Sequence, residues 1–167
     1  MVYFTKPRTD LVGKRNQKTK GSFEMVKIIS VDAQEFDVPR EVAEKCTFFH
    51  ACIEDGGDDD IIVYKVKGRE LAKILEFCSM LLAEPMPTIP VPLRTSELDT
   101  LVGKNYNAFV QSIDVTHELV ELILAVDFLG QEELMSLLCA HMAILANTSD
   151  NVDDFLSKFD PSYLLTA

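Results

Sequence analysis

The sequence predicts an α+β domain in which a small sheet near the start of the ordered chain is followed by a set of helices. Residues 26–31 and 35–38 alternate apolar and polar side chains as strands do, and a short β-rich run at residues 61–64 adds a third strand. Residues 116–145 instead repeat apolar side chains at helical spacing. Strands early and helices late are typical of α+β folds rather than of alternating βαβ units.

A hairpin and two short helices open the ordered part of the chain. Residues 32–34 are few enough to connect the first two strands directly. Pro39 stands at a favoured first position for a short helix that includes Cys46, and Thr47 is placed to cap a second helix over residues 48–55. Glycines and aspartates at residues 56–60 then predict an acidic loop before the third strand.

The middle of the chain predicts two helices separated by a linker. Apolar side chains of residues 71–82 fall on one helical face. Four prolines in residues 84–95 cannot continue a helix and favour an extended connection, with a ligand for an SH3-like domain as the alternative. A further helix is predicted for residues 96–110, although Gly103 lies within it.

Residues 116–145 give the strongest helical signal in the chain. Residues 116–129 are apolar around nearly the whole circumference and leave only Glu118, Glu121 and Asp127 to meet water, so we expect a helix enclosed by the core. Gly130 predicts a helix stop, and the glutamates after it favour a new first turn. A second helix and a short last helix then carry apolar stripes, which consist of Leu134, Leu137, Leu138, His141, Met142 and Leu145, and of Val152, Phe155, Leu156 and Phe159.

Composition narrows the class of protein. The 167 residues allow one domain with a real core, and 47% hydrophobic residues argue against disorder. A formal charge of −11 argues against a nucleic-acid partner, because phosphates are neutralised by Lys and Arg. The first 20 residues nevertheless hold six cations and one acid, so we expect residues 1–24 to form a basic, disordered extension, with a nuclear-import patch at residues 14–20 as the alternative.

Cysteine usage and hydropathy predict the compartment. The four cysteines show no CxxC spacing, and no signal-peptide core lies near Met1, so we expect reduced thiols and a cytoplasmic or nuclear location. No apolar run is long enough to span a bilayer, and no membrane partner is expected.

No catalytic site is predicted. None of the three histidines has an HExxH partner or a GxSxG serine nearby, so we expect no enzyme activity. Cys46, His50 and Cys52 are an alternative set of metal ligands, but a core position is the favoured interpretation of the cysteines. The aspartates at residues 58–60 lack the alternating ligands of a calcium loop. We therefore expect no metal and no cofactor.

The apolar stripes of the last two helices have two explanations, and both stay open. In the first, the stripes pack against each other and against the central helix. In the second, part of their apolar surface stays exposed and binds a partner protein, as large exposed apolar patches usually do. Periodicity alone favours neither.

The ordered set of segments resembles the Skp family, the adaptor subunit of Skp, cullin and F-box ubiquitin ligases. The resemblance lies in VKIISVDAQEFDVPREVAEKC, FFHACIEDGGDDD, LAKILEFC and above all LILAVDFLGQEEL, and it covers residues 25–163. It implies a BTB/POZ fold over residues 25–129, a small three-stranded sheet with surrounding helices and with the Pro-rich linker inside it. A C-terminal helical extension of the F-box-binding type follows over residues 130–167.

The resemblance also implies one surface for each of two partners. The family's cullin-binding surface corresponds here to Phe48, Ile53, Asp127 and Phe128. Its F-box-binding surface corresponds to Leu134, Leu137, Leu138, Met142, Val152, Phe155, Leu156 and Phe159.

Three departures from the family pattern carry expectations of their own. Asp127 and Phe128 stand where the family usually has Asn-Tyr, so the affinity for a cullin, or the choice of cullin, is expected to differ. Ala33 replaces the glycine of the family's hairpin turn, which is a mild cost where φ is positive. The family's final acidic helix with a Trp has no counterpart before Ala167, so weaker or more selective F-box binding is expected.

The function implied by the resemblance is that of a non-catalytic adaptor that bridges a cullin N-terminal domain to an F-box substrate receptor in ubiquitin-dependent protein degradation. The alternative is a divergent BTB scaffold that binds a cullin or self-associates but has lost or weakened F-box binding. An elongin-C-like module is less favoured, because that family ends near the central helix whereas this chain continues beyond it.

Overall fold

A three-stranded sheet lies at the start of the structure, a computed structural model that describes residues 24–56 and 60–159. The strands are β1 (Met25–Ile29), β2 (Glu35–Pro39) and β3 (Ile61–Ile62), in the order β2-β1-β3. Strand β1 is antiparallel to β2 and parallel to β3. The third strand is shorter than the predicted residues 61–64. The predictions for residues 1–23, for most of the acidic loop and for the last eight residues fall outside the described residues.

Helices make up most of the rest of the described chain. The structure agrees with the predicted order of strands and helices, and it shows eight helices within the described residues: α1 (Arg40–Ala43), α2 (Thr47–Gly56), α3 (Gly68–Ala83), α4 (Leu98–Val102), α5 (Lys104–Gln111), α6 (Leu119–Leu129), α7 (Glu132–Asn147) and α8 (Val152–Ser157).

Three predicted details of the helices were wrong. Pro39 is the last residue of β2 and the N-cap of α1 rather than its first residue, and Cys46 lies beyond the end of α1 at Ala43. The single helix expected over residues 96–110 is divided into α4 and α5, because Gly103 adopts φ 84° and ψ 166° between them. Thr47 does not cap α2 but is its first residue. Its backbone N–H and its hydroxyl both donate hydrogen bonds to the Gly130 carbonyl, at 3.2 and 3.0 Å, and so join α2 to the turn after α6.

The predicted turn between the two late helices is confirmed. Gly130 ends α6 in the left-handed conformation with φ 67°, which glycine adopts without steric cost. Gln131 then caps α7, because its side-chain oxygen accepts a hydrogen bond from the Leu134 N–H at 2.8 Å. Helices α6 and α7 consequently pack against each other across a short connection.

The hairpin between β1 and β2 is closed by side chains as well as backbone. Ala33 has a φ of 60°, so the expected strain at this position is present. Asp32 accepts hydrogen bonds from the Ser30 hydroxyl at 2.5 Å and from the Gly68 N–H at 2.8 Å, and these two bonds lower the pKa of its carboxyl group. The hairpin is thereby tied to the first residue of α3.

Candidate functional site

The alternative metal ligands do not come together in the structure. Cys46 is buried with its Sγ 3.7 Å from Cys78 Sγ, and that neighbouring thiol and burial both raise its pKa. His50 is exposed and lies 3.5 Å from a Glu54 carboxylate oxygen on the same helix. Within residues 24–56 and 60–159, no group of three or more His, Cys, Asp or Glu side chains is arranged to hold a metal ion. None of the described helices is long and apolar enough to cross a membrane.

The residues implied for cullin binding lie mostly together at the C-terminal end of α6. The rings of Phe48 and Phe128 are in contact, with centroids 5.2 Å apart, and Lys65 Nζ lies 5.3 Å from the Phe128 centroid. Asp127 is exposed beside them. Ile53 is the exception, because only 6% of its surface is exposed and it belongs to the core. The prediction is corrected at that residue: Ile53 supports α2 and offers no contact surface.

A groove of about 420 Å³ adjoins Phe128 and contains residues that the sequence did not single out. Its most exposed apolar side chain is Leu124, with 64% of its surface accessible. The expectation that α6 is enclosed on all sides was therefore wrong, because the core covers only part of its circumference. We call this region the α6 surface; its principal residues are Phe48, Lys65, Glu70, Leu124, Asp127 and Phe128.

Charged side chains form a cluster along one edge of the α6 surface. Arg69 Nη2 lies 2.9 Å from Glu70 Oε1 and 2.9 Å from Glu121 Oε2, and so bridges the two carboxylates. Lys67 Nζ lies 3.2 Å from Glu121 Oε1. Burial alone would raise the pKa of Glu121, but the neighbouring Lys67 and other partners offset that effect and lower it. Glu121 is thus held ionised beside the groove.

Half of the residues implied for F-box binding are core residues in this structure. Leu134, Leu137 and Leu138 have no exposed surface, and Phe159 is 6% exposed. Their stripe packs against α6 and the rest of the hydrophobic core. These four side chains cannot touch a partner in this conformation, so the predicted surface is corrected to its remaining members. The same periodicity describes a core face and an interface equally well, which is why spacing did not separate them.

The remaining members form what we call the α7–α8 surface: Met142, Val152, Phe155 and Leu156. Val152 is 70% exposed, whereas the other three are partly buried. The Asn151 side chain caps α8 by accepting a hydrogen bond from the Asp154 N–H at 2.9 Å. The carbonyl of Lys158, after α8, accepts a hydrogen bond from the Thr116 hydroxyl at 3.1 Å, so α8 lies near the N-terminal end of α6.

A second groove, of about 520 Å³, runs between α7 and the Pro-rich linker. Its apolar wall includes Ile89, Val91, Met135 and Cys139. Met135 precedes Met142 by one heptad and therefore lies on the same side of α7. The sequence interpretation missed this groove because prolines by themselves predict only a connection; the apolar residues between them are the signal that indicates packing along a helix.

Comparison with known proteins identifies the family. The model of the Skp1 family, tetramerisation domain, matches residues 24–82. The S-phase kinase-associated protein 1 homolog of Tetrahymena thermophila is 39% identical over 127 residues, which cover 75% of each chain. The resemblance found in the sequence and the BTB/POZ fold it implies are both confirmed. This chain belongs to the Skp1 family.

Proposed function

We propose that this chain is a non-catalytic adaptor of Skp, cullin and F-box ubiquitin ligases, which bridges a cullin N-terminal domain to an F-box substrate receptor. The observation that carries the proposal is that Leu124, in the largely apolar helix α6, is exposed and lies one turn before Phe128. Large exposed apolar side chains on a small domain are typical of protein-protein interfaces. Membership of the Skp1 family supports the same role.

The cullin side of the proposal is the α6 surface. Phe48 and Phe128 supply adjoining rings, and Leu124 supplies an apolar side chain that a partner can cover. Each large apolar side chain moved out of water contributes about 1.5 to 3 kcal/mol before the costs of association. Leu124 supplies most of this contribution, because Phe48 and Phe128 are already partly buried against each other. The exposed Asp127 lies at the rim of the three apolar side chains.

The F-box side of the proposal is the α7–α8 surface. Val152, Phe155 and Leu156 lie on α8, near the opposite end of α6 from Phe128. The helical rise places Leu119 and Phe128 about 13 Å apart along α6. The two surfaces share no residue and lie near opposite ends of α6, which is compatible with a protein that bridges two partners.

Single substitutions separate the two sides. We expect Leu124→Asp to abolish binding of a cullin N-terminal domain and to leave F-box binding unchanged, and Val152→Asp to weaken F-box binding and to leave cullin binding unchanged. Both side chains are largely exposed, so both variants should fold. Leu82→Asp, at an exposed apolar position near the end of α3 and outside both surfaces, is the matched control.

Co-purification of the full chain with a cullin N-terminal domain and with a panel of F-box proteins is the decisive measurement. Binding to neither partner would refute the proposal. Binding to a cullin without any F-box protein would identify the chain as the divergent scaffold instead. Sedimentation of the purified chain alone reports whether it self-associates and whether either surface is covered by a second copy.

A further inference from the structure

Glu70 is a buried carboxylate that the fold satisfies on one side only. It is 4% exposed. Its Oε1 accepts two hydrogen bonds from Arg69, at 3.0 Å from Nε and 2.9 Å from Nη2. Its Oε2 is buried and has no hydrogen-bond partner among the described residues. A buried acceptor without a donor costs folding free energy, and the cost is larger for a charged group. The carboxyl group of Glu121 also lies beside Glu70, but two ionised carboxylates are both acceptors and cannot satisfy each other.

The unsatisfied carboxylate is part of the wall of the groove at the α6 surface. The same groove is lined by Leu124 and Phe128 from α6 and by Lys65 before α3. The apolar residues that a partner would cover and the acceptor that lacks a donor thus belong to one site. The terminal torsion of a Glu side chain is broad, so the carboxyl group can turn Oε2 toward a donor that enters the groove.

The charges around the groove indicate the chemistry of the missing donor. Lys67 donates a hydrogen bond to Glu121. Arg69 donates hydrogen bonds to Glu70 and Glu121 and lies 3.7 Å from a carboxylate oxygen of Glu118. Lys65 lies over the Phe128 ring. The charged side chains of the groove and its edge comprise one more carboxylate than cations: Glu70, Glu118, Glu121 and Asp127 against Lys65, Lys67 and Arg69. A cationic donor from outside the chain would balance this set.

We propose that Glu70 is a specificity-determining acceptor of the α6 surface, which selects a partner segment that places an apolar side chain on Leu124 and Phe128 and a lysine or arginine on Glu70. The occupant is a segment of the cullin N-terminal domain, so this inference rests on the proposed function. A partner with the apolar side chain but without the cation leaves Glu70 unsatisfied and binds more weakly. Glu70 therefore favours cullins that carry a lysine or arginine at the position facing it.

The test compares stability with binding in the same variants. Glu70→Met removes a buried oxygen that lacks a donor and puts an apolar side chain of similar length in its place. The variant leaves no buried charge unpaired, because Arg69 is half-exposed and keeps Glu121 as a partner. We expect its unfolding midpoint to be equal to or above that of the wild-type chain, while its affinity for a cullin N-terminal domain falls at least tenfold. Glu70→Gln keeps an acceptor but loses the charge, so a smaller loss of affinity and a weaker dependence on salt are expected.

Glu76→Met is the matched control, because Glu76 is an exposed carboxylate on the same helix and lies outside the groove. It should leave cullin affinity within twofold of the wild-type value. Wild-type affinity of Glu70→Met, or an equal loss in Glu76→Met, would overturn the role of Glu70 while leaving the adaptor function intact. Failure of Glu70→Met to fold would overturn it as well, since Glu70 would then be a structural residue. Failure of the wild-type chain to bind any cullin would overturn both proposals.

Discussion

The family resemblance implied both the α6 surface and the α7–α8 surface, but the two differ in how the core covers them. At the α6 surface the most exposed apolar residue, Leu124, was expected to be buried. At the α7–α8 surface three of the leucines expected to meet a partner are in the core. Apolar spacing therefore locates a helix face but does not say what covers it. A helix that is apolar on every side can have more apolar surface than its own domain can cover.

The first prediction, with the greatest change in stability, tests whether Leu138 is a core residue. We expect Leu138→Ala to lower the free energy of unfolding by about 2 to 5 kcal/mol, because it removes buried methyl groups and leaves a cavity. Val152→Ala, at an exposed position, should change it by less than about 0.5 kcal/mol. Chemical denaturation followed by circular dichroism measures both. Similarly small effects of the two substitutions would show that α7 presents Leu138 to a partner. The core would then leave apolar residues exposed at both surfaces.

The second prediction concerns Gly130, where the helices that carry the two surfaces meet. Gly130→Ala should lower the free energy of unfolding by about 1 to 2 kcal/mol, because its φ of 67° is unfavourable for a residue with a Cβ. The added Cβ would also lie 3.0 Å from Thr47 Cβ. Gly56→Ala is the control, since open space surrounds that position. Thermal unfolding of the pair gives the comparison, and equal midpoints would contradict the strain at Gly130.

The third prediction uses His141 to report on the inner face of α7. Burial lowers the pKa of His141 below its usual 6.5, so the folded protein holds this side chain neutral. As the pH falls below 6.5, the unfolded chain binds a proton that the folded chain does not. Stability therefore decreases with falling pH, by at most about 1.4 kcal/mol per pH unit for one proton, until the pH passes the folded pKa.

Denaturation of the wild-type chain and of His141→Met between pH 7.5 and 5 isolates this contribution. The variant should lose less stability over that range, because it has no imidazole to protonate in the unfolded state. Parallel curves for the two proteins would mean that His141 titrates normally and that the inner face of α7 is open to solvent. The α7–α8 surface would then extend further than the structure indicates.

The fourth prediction, with the least change in stability, is at Ala33, in the hairpin that supports the groove at the α6 surface. Ala33→Gly should raise the free energy of unfolding by about 0.5 to 1 kcal/mol, since it relieves a φ of 60° at the cost of a more flexible unfolded chain. Ala72→Gly, at an exposed position in α3, should instead lose about 1 kcal/mol. Cullin binding should be unchanged in Ala33→Gly. A weaker complex would show that the strained turn positions the groove.

The order of elements and the turn at Gly130 were predictable because local signals specify them. Alternation, helical spacing and a glycine stop are properties of short segments, and they do not depend on the rest of the fold. Gly103 was a local signal too, but a glycine within a helical pattern does not say whether the helix is weakened or divided. The hydrogen bonds of Thr47 were not predictable from local signals. Thr47 contacts Gly130, which is 83 residues away in the chain, and no local pattern specifies such a partner.

The candidate surfaces were predictable only in part, for the same reason. Phe48 and Phe128 were named through the family resemblance, and the structure brings their rings together. Glu70 and Leu124 were not named, because the sequence of α3 or α6 alone does not reveal that one carboxylate is buried beside an exposed leucine. The distinction needs the three-dimensional packing of both helices.

The two hydrogen bonds from Thr47 to the Gly130 carbonyl also have a mechanical consequence. They anchor the corner between α6 and α7 to a third helix, α2, so bending that corner requires breaking contacts to α2 as well. In the proposed adaptor, a rigid corner keeps the angle between α6 and α7 constant. A rotation of one partner then moves the other partner with it, because the corner does not bend. The distance between the two partners of the proposed adaptor then depends on the angle of this corner.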